Sequence, residues 1–240
     1  IKNSFSKSSD YLIYMFSILF QIIYTYKYII KYKPDFIHDD LKSNNIIINT
    51  NTNCEVGNNL FEFISLSDTN EYIYLDALKT KGQFIKFFDY SNTSKYHKFT
   101  NNYYNLTFNQ KSDTNVSFDI IKVFDELFFQ NPKKYFASPH IPILIKMIQH
   151  IFNKSISDQF MTFISGLKKK HNNNSQYSIK SQLEIFRDKL KNDVKANLYG
   201  DILSNFYQYY MVNGELKDII GLHTNVQVRN TENVCMILSS

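Results

Sequence analysis

A chain of 240 residues has room for one large hydrophobic core or for two smaller domains. Its net charge of +5 is mild, and its densest basic run, Lys168-Lys169-Lys170-His171, reads as a solvated helix end, so no nucleic-acid partner is expected. Cys54 and Cys235 stand far apart and outside any C-x-x-C, which argues against a zinc site and against a disulfide framework.

The chain starts at Ile1 rather than Met, and is read as a fragment of a longer protein or a processed one. Residues 1 to 9 are polar. Asp10 is placed to cap a helix running from about Tyr11 to Lys31. That stretch is apolar nearly all round, which fits two settings. A membrane-spanning helix needs about 20 apolar residues with few charges. The centre of a large helical domain needs the same all-round apolarity. Gln21, Lys27, Lys31 and five tyrosines interrupt the stretch and favour the buried helix, without a membrane.

Lys33-Pro34 ends this helix. Phe36 to His38 and Ile46 to Asn49 then read as two short strands on either side of a polar loop. Within the loop, His38, Asp40, Lys42 and Asn45 follow H-x-D-L-K-x-x-N, the pattern of a phosphoryl-transfer catalytic loop. The chemistry explains the spacing. An acid must meet the proton of an attacking hydroxyl. A lysine two positions on can reach the transferred phosphate, and an amide five positions after the acid can turn back to hold a metal ion. A plain polar turn between two strands is the alternative.

This stretch resembles the protein-kinase superfamily, and within it the serine/threonine kinase-like proteins of large DNA viruses, whose loops read H-N-D-L-H/K-x-x-N-I. The resemblance implies an α+β, mainly α-helical fold: the large C-terminal lobe of a kinase, with short β-hairpins around the catalytic loop. It also implies that Asp40 and Lys42 are catalytic, that Lys42 and Asn45 bind ATP and Mg²⁺, and that His38 is structural. The setting implied is cytoplasmic, which for a viral protein means host cytoplasm or virion.

Thr50 to Asn59 is polar, and Phe61 to Ile64 and Tyr72 to Leu75 are strand-like, so residues 50 to 82 read as a hairpin insertion. Gln83 to Phe88 is an apolar strand that ends in Asp89-Tyr90-Ser91. This resembles the kinase D-F-G element, and the resemblance makes Asp89 a second Mg²⁺ ligand beside Asn45. Tyr90 and Ser91 depart from Phe and Gly, and the spacing from Asp40 is wide because of the insertion; an ordinary strand-end turn is the alternative. Residues 91 to 115 would be the activation segment, although no A-P-E is present. Val116 to Phe129 has helical spacing. Asp119 near its start resembles the kinase aspartate that accepts backbone N–H bonds from the catalytic loop, and simple capping is equally compatible.

Further helices are expected over Ile141 to Phe152, Asp158 to Lys169, Ile179 to Val194 and Asp201 to Val212, separated by Asn131-Pro132, Gly166 and Asn172 to Asn174. The lobe is expected to span residues 1 to 222, with 223 to 240 as an extended tail. The glycines form no G-x-G-x-x-G, and about ten residues precede the first helix, so the small ATP-covering lobe is expected to be absent from this stretch. Asp39 stands where many kinases carry Arg, so no phosphorylation switch of the usual kind is expected.

The activity implied is transfer of the ATP γ-phosphoryl group to a protein hydroxyl, incomplete without an upstream lobe. The rivals are a pseudokinase scaffold and a small-molecule phosphotransferase of the aminoglycoside or choline kinase type; Lys42 argues against the second.

Overall fold

The computed structural model describes residues 8–34, 36–38, 40–50, 60–67, 70–90, 116–170, 177–195, 199–227 and 234–235. The fold they form is α+β and mainly helical, with two small sheets.

The core is built around α1 (Ser8–Tyr32). Leu12, Phe16, Leu19, Phe20, Ile23 and Tyr26 are fully buried along one face, and Tyr14, Ile18, Ile22 and Tyr24 are buried on the other sides, so the helix runs through the domain rather than along its surface. Burying each such side chain contributes about 1.5–3 kcal/mol. The helix starts before Asp10, which sits in the first turn instead of capping; an acid there still complements the helix dipole. The stretch Asp10–Tyr32 is long and apolar enough to cross a membrane by length and composition, and its most apolar part is 67% buried inside the fold.

Polar groups on α1 attach it to its neighbours. Gln21 is 2% exposed, and its amide donates to Gln83 O (3.2 Å) and accepts from Ile85 N–H (3.1 Å). Tyr14 donates to Gln83 Oε1 (2.7 Å) and Tyr24 to Ile64 O (2.6 Å).

The first sheet is the antiparallel pair β1 (Ile46–Thr50) and β4 (Gln83–Phe87), in register from Ile46 opposite Phe87 to Thr50 opposite Gln83. Between them lie β2 (Leu60–Ile64) and β3 (Tyr72–Asp76), which pair antiparallel as the inserted hairpin. Phe36 to His38 is not a full strand. Only Ile37 makes a bridge, and the His38 N–H is taken by the Tyr26 hydroxyl (2.9 Å), so it does not enter a ladder.

The expected tail is partly sheet. β5 (Leu222–Val226) pairs antiparallel with β3, and β6 (Val234–Cys235) pairs parallel with β2, giving the order β5-β3-β2-β6. The expected boundary after residue 222 therefore falls inside a strand.

The helical half comprises α2 (Val116–Phe128), α3 (Ile141–Ile151), α4 (Lys154–Lys170), α5 (Tyr177–Lys195), α6 (Ile202–Val212) and α7 (Gly214–Ile220). Its centre is aromatic: the Phe124 ring lies 5.0 Å from Phe128, 5.3 Å from Phe129 and 5.1 Å from Phe206. α4 starts four residues earlier than its apolar pattern suggests, because Asn153 accepts from Ile156 N–H and supplies the cap. Gly166 does not break α4; Phe163, Ile164 and Leu167 around it are buried, and their packing outweighs the roughly 0.5–1 kcal/mol a helical glycine costs. Asp201 caps α6 through Ser204 N–H. The additional short helix α7 is capped by Asn213 and closed by Gly221 in the left-handed region (φ 64°). The tract 172–174 and the expected activation segment 91–115 lie outside the described residues.

Candidate active site

The loop after Ile37 is held from three sides, and the holding begins with its backbone. His38 is fully buried, and its Nε2 lies 3.0 Å from the Phe88 carbonyl. A carbonyl can only accept, so Nε2 carries the proton, and Nδ1 is buried without a partner among the described residues. Phe88 N–H in turn donates to Asn45 O (2.9 Å). Phe88 is thus gripped by the first and last residues of the loop motif. Asp89 follows it directly, in a left-handed conformation (φ 56°) that turns the chain out of β4. In this way the β1–β4 register and two bonds to Phe88 bring Asp89 alongside the loop. Tyr90 packs its ring 5.3 Å from that of His38.

Asn45 closes the loop on itself. Its Nδ2 donates to Asp40 O (2.8 Å) and to Asp40 Oδ2 (3.2 Å), and its N–H to Lys42 O (2.8 Å). With Nδ2 turned to Asp40, Oδ1 is the amide atom left to face a cation. Lys42 Nζ lies 2.6 Å from Asp40 Oδ2. Asp40, Lys42 and Asn45 therefore converge on one point.

The third side is α2. Asp119, 1% exposed, accepts the Leu41 N–H on Oδ1 (3.2 Å) and the Tyr26 hydroxyl on Oδ2 (2.7 Å). Since Tyr26 also accepts from His38 N–H, a single chain of hydrogen bonds ties α1, the loop and α2 together. One and two turns further along the same face, Lys122 Nζ lies 3.1 Å from Asp40 Oδ1, and Glu126 accepts the Ser43 N–H (2.5 Å). On its other side α2 is tied to α5 by the bidentate pair of Asp125 and Arg187.

These contacts set the charge state of Asp40. Burial pushes its carboxyl up, but the hydrogen bonds and charges of Lys42 and Lys122 outweigh burial and hold it below the usual carboxylate range. It is an ionised acceptor at neutral pH.

Tyr26, Lys122 and Glu126 were not among the residues singled out from sequence. For Lys122 a signal exists: it stands three after Asp119 inside the otherwise apolar run Ile120 to Phe124, where a cation needs a buried partner.

Among the described residues no group of three or more His, Cys, Asp or Glu could hold a metal ion. Mg²⁺ does not require one, because it keeps several waters and takes one or two protein oxygens plus phosphate oxygens. The oxygen donors of Asn45 and Asp89 are of that kind.

Behind β1, Met15, Ile18, Ile46, Ile48, Val123 and Leu127 help to line a cavity of about 250 Å³ that reaches Ser43. This is below the roughly 300–1,000 Å³ of ligand-enclosing pockets. A larger groove of about 710 Å³ runs between α4 and α5 but shares no residue with the loop.

No family model matches the chain, and no curated protein or solved structure matches it.

Proposed function

We propose that this chain is the catalytic C-terminal lobe of a serine/threonine protein kinase, which transfers the γ-phosphoryl group of ATP to a protein hydroxyl once an upstream lobe covers the nucleotide. The observation that carries the reading is the convergence of Asp40, Lys42 and Asn45, with Asp89 one residue beyond the Phe88 that both ends of the loop hold.

In this reading Asp40 orients the incoming hydroxyl. It need not be a strong base, because the transition state is loose and positioning supplies most of the acceleration. Lys42 offsets negative charge on the phosphoryl group, and its 31% side-chain exposure leaves the ammonium within reach of a ligand. Asn45 and Asp89 would hold Mg²⁺, which supplies charge neutralisation at the phosphate oxygens. His38 and Asp119 touch no substrate; they fix Phe88, Leu41 and Tyr26, and so the loop. The setting proposed is cytoplasmic, in a host cell or virion, with no membrane or nucleic-acid partner.

A second reading is a pseudokinase scaffold. It is favoured by the ion pairing of both Asp40 oxygens with lysines and by Tyr90-Ser91 in place of Phe-Gly.

The test is phosphoryl transfer from labelled ATP by the full-length protein, offered protein acceptors and aminoalcohol acceptors in parallel. Asp40→Asn and Asp89→Asn should each reduce transfer to protein at least about 100-fold. Transfer that survives both substitutions sinks the kinase reading. Transfer to the aminoalcohol alone assigns the site to a small-molecule phosphotransferase. Absence of transfer together with absence of a Mg²⁺-nucleotide shift in melting temperature assigns it to the scaffold.

A further inference from the structure

Asp40 makes a definite set of bonds, and they are unequal on its two oxygens. Oδ2 accepts from Lys42 Nζ at 2.6 Å and from Asn45 Nδ2 at 3.2 Å, whereas among the described residues Oδ1 accepts from Lys122 Nζ at 3.1 Å alone. Each carboxylate oxygen has two lone-pair directions. Oδ2 is therefore filled, and Oδ1 keeps one acceptor direction. A hydroxyl that Asp40 is to orient must approach Oδ1, beside the ammonium of Lys122.

We infer that Lys122 is a positioning residue of this site: it pins the Asp40 carboxylate from α2 so that Oδ1 faces the incoming hydroxyl. The inference rests on the kinase reading and adds to it a residue that lies 82 positions from Asp40 in the chain. Three features support it. The Lys122 side chain is 11% exposed, so its contact with Asp40 is shielded from water and from salt. It springs from the helix that also binds Leu41 N–H through Asp119 and Ser43 N–H through Glu126, so the cation and the loop backbone share one rigid support. And with Oδ1 left unheld, the carboxylate could rotate about Cβ–Cγ to offer both oxygens to Lys42, a geometry with no directed acceptor for substrate.

A lysine that only neutralised a buried acid would act on stability. A positioning lysine acts on turnover, and only through Asp40. The experiment is steady-state kinetics on the full-length protein, comparing Lys122→Met, Lys122→Gln and Lys122→Arg, each alone and in an Asp40→Asn background, with melting temperatures recorded for all. The expected result is a fall in kcat of about 30- to 100-fold for Lys122→Met and Lys122→Gln, with KM for ATP and acceptor within about two-fold. Lys122→Arg should recover kcat to within about five-fold of the parent, and in the Asp40→Asn background the Lys122 substitutions should lower the residual rate no further.

If Asp40→Asn alone retains transfer, the kinase reading and this inference fall together. If Asp40→Asn abolishes transfer but both neutral Lys122 variants keep kcat within two-fold while melting lower, the kinase reading stands and Lys122 is structural. Should Lys122→Met not fold, Lys122→Gln and the Arg rescue decide; failure of Arg to restore kcat in a stably folded variant overturns the inference.

Discussion

Replacing Asp119 with alanine removes a carboxylate on α2 that accepts from both α1 and the loop. Two donors lose their acceptor: Leu41 N–H, 3.2 Å from Oδ1, and the Tyr26 hydroxyl, 2.7 Å from Oδ2. Water cannot replace it at little cost, because Asp119 is 1% exposed and Leu41 and Tyr26 are 0% exposed. A hydrogen bond to a charged group contributes about 1.5–3 kcal/mol, and a buried donor left unpaired costs a similar amount. With the longer bond at the low end of that range, Asp119→Ala should destabilise the fold by about 3–5 kcal/mol, a large part of the roughly 5–15 kcal/mol typical of a domain. Tyr26→Phe leaves His38 N–H without its acceptor and should cost about 1–3 kcal/mol. The double variant is more informative than either single one. Once the tyrosine hydroxyl is gone, Asp119→Ala no longer orphans it, so the combined loss should fall short of additivity by about 1 kcal/mol or more. Urea unfolding followed by far-UV circular dichroism, compared at constant slope, measures all three. A loss below about 1 kcal/mol for Asp119→Ala, or strict additivity with Tyr26→Phe, would refute the idea that one carboxylate braces the loop against α1 and α2.

Burial pushes the Tyr14 and Tyr209 hydroxyls up to about 12 and raises Tyr135 and Tyr210 well above the usual value of 10.0. An unfolded tyrosine ionises near 10 and a folded one higher, so their contribution to stability is complete below pH 10 and is lost as pH climbs through 12; tyrosinate absorbance, free of tryptophan overlap, should rise cooperatively with loss of helix, and a smooth titration near 10 with the helices intact would contradict this. A Cβ on Gly221 would sit 2.5 Å from Asp76 Cβ at φ 64°, whereas one on Gly200 at φ 60° meets nothing within 4 Å. Gly221→Ala should therefore cost clearly more than the roughly 1–2 kcal/mol expected for Gly200→Ala, and equal losses in urea would show that the close approach of α7 to β3 is absent. Arg187→Met breaks the pair with Asp125, whose side chains are 28% and 11% exposed; the loss should be about 1–3 kcal/mol and shrink at high salt, and a salt-independent effect would point to lost packing instead.

How far the sequence disclosed this fold depends on the distance over which each feature is encoded. The loop was legible because its chemistry lies within eight residues: His38, Asp40, Lys42 and Asn45 must stand at those intervals for the amide to fold back on the acid, and it does so at 2.8 and 3.2 Å. The central position of α1 was legible because apolar residues on every side of a helix must be covered on every side. Helix α2 announced itself by spacing, and Asp119 by its place in the first turn. What stayed hidden was pairing. Nothing near Phe36 to His38 reveals that a tyrosine on α1 takes the His38 N–H and keeps the segment out of a sheet. Nothing near Leu222 reveals that β3 offers an edge to it. Gly166 was misread as a break because its intrinsic penalty is local, whereas the packing that overrides it comes from other helices.

The polar residues inside apolar runs carried more information than their spacing showed. Gln21 interrupts α1, and in the fold both halves of its amide complete the backbone of β4, accepting from Ile85 and donating to Gln83. Lys122 interrupts α2, and in the fold it meets Asp40. Tyr26 does the same for His38 and Asp119. In each case a buried polar side chain would be costly unless something distant satisfied it, so its presence in an apolar stripe predicts a partner without naming one. All three partners lie in the segments that bound the candidate active site: β4, the loop and α2. Interruptions in the apolar stripes of α1 and α2 therefore hold β4, Asp40 and His38 in place.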